Sequence, residues 1–273
     1  MTPEQYCEQK AAPRGSSLHY ALLQVQGPRR AALLALHAWR REVTDIATEL
    51  SDHAVALQKL GWWVQELDRC FAGRPQHPVT QALAPHVESF GLTREPFIHA
   101  LSGVEFDLRQ NRYLDYALLQ RQCEQVAGSI GQVAARILGA TSPPVLQHAQ
   151  RLGLALQLIA QIRDVGHHAR RGRVTLPLED LQRFDVKLGD LLDGKYVAGF
   201  GPLMQFQTQR ARVTLAEALA LLPAAEAAAQ RPARVLAALY AALLAEIERS
   251  DFQVLQQRIA LTPLRKLWIA WRT

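Results

Sequence analysis

An all-α fold is what this sequence predicts, and three observations carry the expectation. Apolar residues recur at helical spacing through most of the 273 residues. The β-branched alternation that strands require is almost absent. Clusters of Gly and Pro, the residues that end helices, fall between the periodic runs.

Taken in order, the first strong stripe is Leu36, Val43, Ala47 and Leu50, at intervals of seven, four and three, on a helix near 32–51. Further helical patterns run through 55–71, 81–90, 118–139, 146–169, 205–222 and 233–259. Breakers separate them at Gly73 and Pro75, Pro143-Pro144, Gly172 to Pro177, Gly194 to Pro202, and Pro223. None is long enough for an interdomain linker, and no repeat of fixed period occurs. The expectation is one domain over 1–273 with eight to ten helices.

Composition narrows the class. Hydrophobic content of 49% suffices for a buried core, and 21% charged residues argues against disorder. The longest apolar run, Val235 to Ala245, falls well short of the roughly 20 residues that span a bilayer. The start, MTPEQYCEQK, carries no apolar signal region, so a cytoplasmic protein is expected. Cys7, Cys70 and Cys123 are scattered and give no zinc or redox spacing. A net charge of +6 admits anionic partners. The basic residues are not interleaved with aromatics, so nucleic acid is not expected among them.

Three polar stripes could carry chemistry. His37, Arg41, Thr44 and Thr48 stand at i, i+4, i+7 and i+11 and share one helix face. Gly153, Gln157, Ala160, Asp164 and His168 form a second stripe of the same spacing. Gln122 and Gln125 lie on a third helix, where Gly128 and Gly131 allow close packing. Residues 163–173 read RDVGHHARRGR, and Arg163, Arg170, Arg171 and Arg173 suit bidentate phosphate contacts. A basic helix end complementing the macrodipole accounts for one or two of them. Glu42, Asp45, Glu49 and Asp52 make a separate acidic stripe, expected to be solvated or paired with arginine. About 100° of rotation per residue turns it away from Thr44 and Thr48.

The chain resembles the squalene/phytoene synthase family, in particular its bacterial presqualene diphosphate synthases of the hopanoid pathway. The resemblance rests on YCEQKAAPRGSSLHYALL, ALHAWRREVTDIATEL, KLGWWVQEL, GRPQHPVTQAL, SGVEFDL and VAGSIGQ. It continues through LGLALQLIAQIRDVGHHARRGRVTLPLEDLQRF to EIERSDFQVLQQRIALTPLRKLWIAW. It implies an isoprenoid synthase fold, helices around a central apolar cavity for two farnesyl chains. Two aspartate-rich helices would face each other there and hold Mg²⁺ against the diphosphates.

The departures from the family pattern gather where its chemistry is done. Thr44 and Thr48 stand at aspartates of the first acidic motif. His168 stands at an aspartate of the second, and Ala160 at an asparagine. His37 and Gln122 replace two cavity tyrosines. Asp164 survives as a possible metal ligand, with Ser16, Ser17, Arg41, Gln157, Arg163 and Arg173 as the implied substrate-binding set; no catalytic residue is assigned. Mg²⁺ prefers carboxylate and phosphate oxygens, for which neutral threonine hydroxyls are poor substitutes.

Three functions stay open. In the first, the protein binds a prenyl diphosphate or other isoprenoid lipid with Mg²⁺ chemistry lost or impaired and no cofactor, and an active paralogue is a candidate partner. Alternatively it is an active, Mg²⁺-dependent transferase joining two farnesyl diphosphates head to head into presqualene diphosphate or squalene. In the third, Asp164, His168 or His167, and His37 hold a transition metal. The basic, tryptophan-bearing tail after Pro263 suits either peripheral contact with the inner face of the membrane or packing as a terminal helix.

Overall fold

The computed structural model describes residues 1–49, 52–110 and 112–273, apart from the side chain of Glu49. Leu50 of the first apolar stripe therefore lies outside the described residues, as does the Glu49 carboxylate of the acidic stripe.

Helix α1 (Pro3–Ala11) starts at a capping box in which Thr2 and Gln5 satisfy each other's backbone N–H. Ser16 caps the short α2 (Ser17–Ala21). The 23-residue α3 (Gly27–Glu49) follows, then α4 (His53–Phe71), capped by Asp52. Helices α5 (Pro78–Ser89) and α6 (Glu95–Arg109) complete the first half. α7 (Tyr116–Cys123) runs through a π-helical turn at Glu124–Gly128 straight into α8 (Ser129–Ile137). Next come the 27-residue α9 (Pro143–Ala169), then α10 (Leu178–Arg183), α11 (Leu188–Leu192) and α12 (Phe200–Ala220). The chain ends with α13 (Arg231–Arg249) and α14 (Pro263–Arg272).

With α7 and α8 counted as one continuous helix, there are thirteen among the described residues. The expected eight to ten was too few because the shortest helices, such as α2, α10 and α11, do not sustain a readable apolar period. The expected helix over 233–259 was too long. It stops at Arg249, where Asp251 and Phe252 take φ of 50° and 57°. That left-handed turn folds Leu255 onto Gly166 of α9, whose missing side chain leaves room for the Leu255 backbone.

Two large apolar clusters form the core. One gathers residues of α9, α12 and α13; the other gathers α1, α3 to α6 and α8. Close packing of α8 on α9 joins them, as Gly128 and Gly131 suggest from sequence: a Cβ at Gly131 would lie 2.5 Å from the Ala149 carbonyl oxygen. Among the described residues no helix is long and apolar enough to cross a membrane.

Candidate functional site: an apolar cavity with a basic end

Between the two clusters lies a cavity of about 750 Å³, walled by α3, α8, α9 and α13. Its size falls within the usual range for small-molecule pockets. Leu33, Ile130, Leu138, Leu152, Leu156 and Leu236 make one part apolar. Arg40, Arg41, Arg163, Arg258 and Lys266 line it as well, five cations on four different segments.

Helix periodicity puts the polar residues there. On α3, His37, Arg40, Arg41 and Thr44 follow one face into the cavity, and on α9 Gln157, Ala160 and Arg163 do the same. Arg40 donates to Gln157 Oε1 at 2.7 Å and ties the two helices together. Ser16 and Ser17 line the cavity from α2, where the Ser16 hydroxyl also accepts from His19 N–H at 3.1 Å. Lys266 reaches in from α14 and donates to the Gly15 carbonyl at 2.8 Å.

Of the residues expected from sequence, Ser16, Ser17, His37, Arg41, Thr44, Gln157, Ala160 and Arg163 border the cavity. Thr48, Gln122, Asp164, His168 and Arg173 are not among its lining residues. Arg40, Tyr240, Arg258 and Lys266 are additions. Arg40 was legible in principle, three residues from His37 on the same helix face. Arg258 was not, because it sat inside an overextended helix.

Asp164 is the main correction. Both its oxygens are held by the Arg163 guanidinium, and Arg258 Nε donates to Oδ1 at 2.9 Å. Burial would raise its pKa, but these two arginines outweigh burial and hold it down at about 2. The carboxylate is thus a counterion inside a basic cluster. For Arg163 burial works toward a lower pKa, and Asp164 with Tyr240 reverses it upward. Lys266 has no such relief: burial, with Arg163 and Arg258 nearby, lowers its pKa.

Arg173 also departs from its expected role. It donates to Asp107, which accepts a second bond from Tyr113 at 2.6 Å, and to the Ala47 carbonyl. Arg171 donates to the Thr48 carbonyl and Arg170 to that of Leu255 at 2.7 Å. These arginines hold backbone carbonyls, two of them at the C-terminal end of α3, where the helix dipole is negative. Of the four arginines in the 163–173 run, only Arg163 reaches the cavity.

The acidic stripe is not simply solvated. Glu42 is buried, accepting from the Tyr6 hydroxyl at 2.5 Å, with Lys10 3.2 Å away. Asp45 pairs with Lys10 at 2.9 Å and approaches Arg41 at 3.7 Å, and it does border the cavity. Asp52 serves as the α4 cap.

A Mg²⁺ cluster, as the family resemblance implies, does not fit these residues. The Thr44 hydroxyl donates to the Arg40 carbonyl at 3.0 Å, and Thr48 to that of Asp45 at 3.3 Å, so both are turned back onto their own helix. Asp164 is consumed by arginines, and Ala160 has no donor. A transition metal fares no better. Among the described residues no three His, Cys, Asp or Glu side chains gather as a donor set. Burial and Arg40 push His37 down to about 3. His168 sits against Thr175 Oγ1 at 3.2 Å, with burial pushing it down to about 4 against the opposing pull of Asp164. Gln122 is buried with its Oε1 unpartnered.

A family model described as squalene/phytoene synthase matches residues 11–265. A phytoene synthase of Arthrospira platensis is 31% identical, the match covering 96% of this chain and 89% of that protein. A 15-cis-phytoene synthase of Synechocystis is 30% identical over 97% of this chain and 83% of its own. Among solved structures, a dehydrosqualene synthase in complex with ligand superposes with a TM-score of 0.86 at 22% identity, covering 99% of this chain and 94% of that one. Squalene synthase HpnC from Alicyclobacillus acidocaldarius gives 0.78 at 23%, with 92% and 94% covered. The helical arrangement is that of the isoprenoid synthase fold.

Proposed function

The chain belongs to the squalene/phytoene synthase family of head-to-head prenyltransferases in isoprenoid metabolism, and on that premise we propose that it binds a prenyl diphosphate, or another anionic isoprenoid lipid, with the magnesium-dependent chemistry lost or impaired. One observation carries the reading: five cations line a partly apolar cavity whose neighbouring Asp164 carboxylate is already taken by two of them. An amphiphile with an apolar tail and a compact anion matches such a lining. Arginine forks and Lys266 would hold phosphate oxygens by charge-assisted hydrogen bonds, worth about 1.5–3 kcal/mol each. No metal or other cofactor is required for that binding.

The residues suit holding a diphosphate better than expelling it. Cleaving an allylic carbon–oxygen bond needs the leaving group's growing charge to be stabilised more than the bound ground state. Arg163 and Arg258 spend part of their charge on Asp164, and His37 is neutral near pH 7, so it offers no charged proton donor. An active paralogue beside this chain would be the natural source or consumer of the lipid.

A second reading keeps the transferase, joining two farnesyl diphosphates into presqualene diphosphate or squalene. Relatives named as phytoene synthases support a reading in which the chain is itself a synthase. What favours turnover is the same cationic lining, acting on the leaving group. The test is diphosphate release from farnesyl diphosphate, with Mg²⁺ and with EDTA. Beside it stands a variant carrying Thr44→Asp, Thr48→Asp and His168→Asp. Saturable binding without release supports the proposal; Mg²⁺-dependent release by the unaltered protein overturns it.

A further inference from the structure

Helix α14 carries two apolar faces, and only one is covered. Ile269 and Ala270 are buried against the body of the protein, and Lys266 on the same side reaches the cavity. Leu264, Leu267, Trp268 and Trp271 stand at i, i+3, i+4 and i+7 on another face and are 81%, 47%, 54% and 74% exposed. A surface helix of a soluble protein normally turns polar residues outward. Two open tryptophans on one stripe need a non-aqueous neighbour.

We propose that this face docks the protein on an anionic lipid leaflet. Charge names the occupant. Among the described residues Arg29, Arg231 and Arg272 have no carboxylate at ion-pair distance; Arg272 lies on this face, and Arg29 and Arg231 border the groove that Leu267 and Trp271 share. The Arg272 guanidinium sits 5.2 Å from the Trp268 ring centre, a cation beside an aromatic, as residues at the headgroup level are arranged. Arg231 also donates to the Ala270 carbonyl at 3.2 Å and so holds the end of α14 in place. A net charge of +6 adds long-range attraction to an acidic surface.

The position of the patch suits a lipid ligand. Beside it is a groove of about 400 Å³ bordered by Leu23, Leu267 and Trp271. Leu138 and Pro232 border both this groove and the central cavity. Docked through α14, the protein turns a shared wall of its lipid cavity toward the leaflet, the phase in which long prenyl chains reside.

The test uses the full chain without any prenyl ligand, so its failure is separate from failure of the proposed ligand binding. Protein is sedimented with phosphatidylcholine vesicles and with vesicles that also contain phosphatidylglycerol. The expected result is cosedimentation with the anionic vesicles, weakened by salt, with tryptophan emission shifted to the blue. Leu267→Glu with Trp271→Glu should lower partitioning by about tenfold or more, whereas Val55→Glu, on the exposed surface of α4, should not. Absence of binding to anionic vesicles at low salt overturns the proposal, and so does binding that the double variant leaves unchanged. A concentration-dependent dimer abolished by the double variant, without vesicle binding, would assign the face to a second copy and also overturn it.

Discussion

Arg163 and Asp164 are adjacent in sequence and paired in space, with both carboxylate oxygens held by the guanidinium of the preceding residue. Successive side chains on a helix do not normally face each other. Here Arg163, itself a cavity-lining residue, does so, and Arg258 closes on the same carboxylate from the 250–262 loop. The aspartate that sequence marks as the surviving metal ligand is thereby the counterion of a basic cluster.

Replacing Asp164 with Asn should separate those two roles. Breaking this partly buried ion pair should cost about 1–3 kcal/mol of stability, readable in urea melts. Affinity for a non-hydrolysable farnesyl diphosphate analogue should hold or improve, because Arg163 and Arg258 are released toward the ligand. Calorimetry in EDTA reads this directly, and a collapse of binding would restore the carboxylate to a ligand-holding role.

Lys266 should matter for the anion and not for the tail. Its depressed pKa comes from burial beside Arg163 and Arg258, a crowding that a diphosphate would relieve. Lys266→Gln should weaken the diphosphate analogue roughly tenfold, one charge-assisted bond, while farnesol binding changes little. Equal losses for both ligands would place the effect in folding or packing.

For the apolar part the opposite selectivity is expected. Leu156 lines the cavity, and Leu156→Trp should fill space that a prenyl chain needs. Prenyl diphosphate affinity should fall by more than tenfold, with inorganic diphosphate still bound at the basic end. Loss of both in competition assays would show that the lining does not divide in this way.

Arg173 should prove structural. It joins the Ala47 carbonyl, at the C-terminal end of α3, to Asp107 and through it to Tyr113. Arg173→Met would leave the partly buried Asp107 without its cation, a loss of about 1–3 kcal/mol, with ligand affinity per folded molecule unchanged. A selective loss of binding would return it to the site.

Stability should fall as the solution is acidified below about pH 6.5. His37 and His168 are held down at about 3 and about 4, against 6.5 for a free imidazole. The unfolded chain therefore takes up protons that the folded chain refuses, and stability present above pH 6.5 drains away toward pH 4. Each such histidine contributes a slope approaching about 1.4 kcal/mol per pH unit. His168→Gln should flatten the curve by about one proton in denaturant melts between pH 4 and 7. An unchanged slope would mean that the imidazole is not refused a proton in the folded state.

Much of the cavity was readable from helix periodicity. The stripes His37, Arg41, Thr44 and Gln157, Ala160 do meet across α3 and α9, since a regular helix carries its spacing into space. The same reasoning failed at the ends of those stripes, Thr48 and His168. There α3 and α9 run past the cavity, and where a helix leaves a cavity depends on what it packs against. Arg258 was hidden because a left-handed turn at Asp251 and Phe252 breaks an apolar pattern that sequence alone continues.

By itself the sequence determined the all-α class, the family resemblance and the absence of carboxylates at positions 44, 48 and 168, because these are properties of residue type and spacing. Only the tertiary structure decided which cations serve the cavity. Arg163, Arg170, Arg171 and Arg173 are chemically alike and lie within eleven residues, yet one reaches the cavity and three hold carbonyls of other segments. A guanidinium satisfies whichever acceptor lies within its reach. Those acceptors, Ala47, Thr48 and Leu255, come from distant parts of the chain that only folding brings to it.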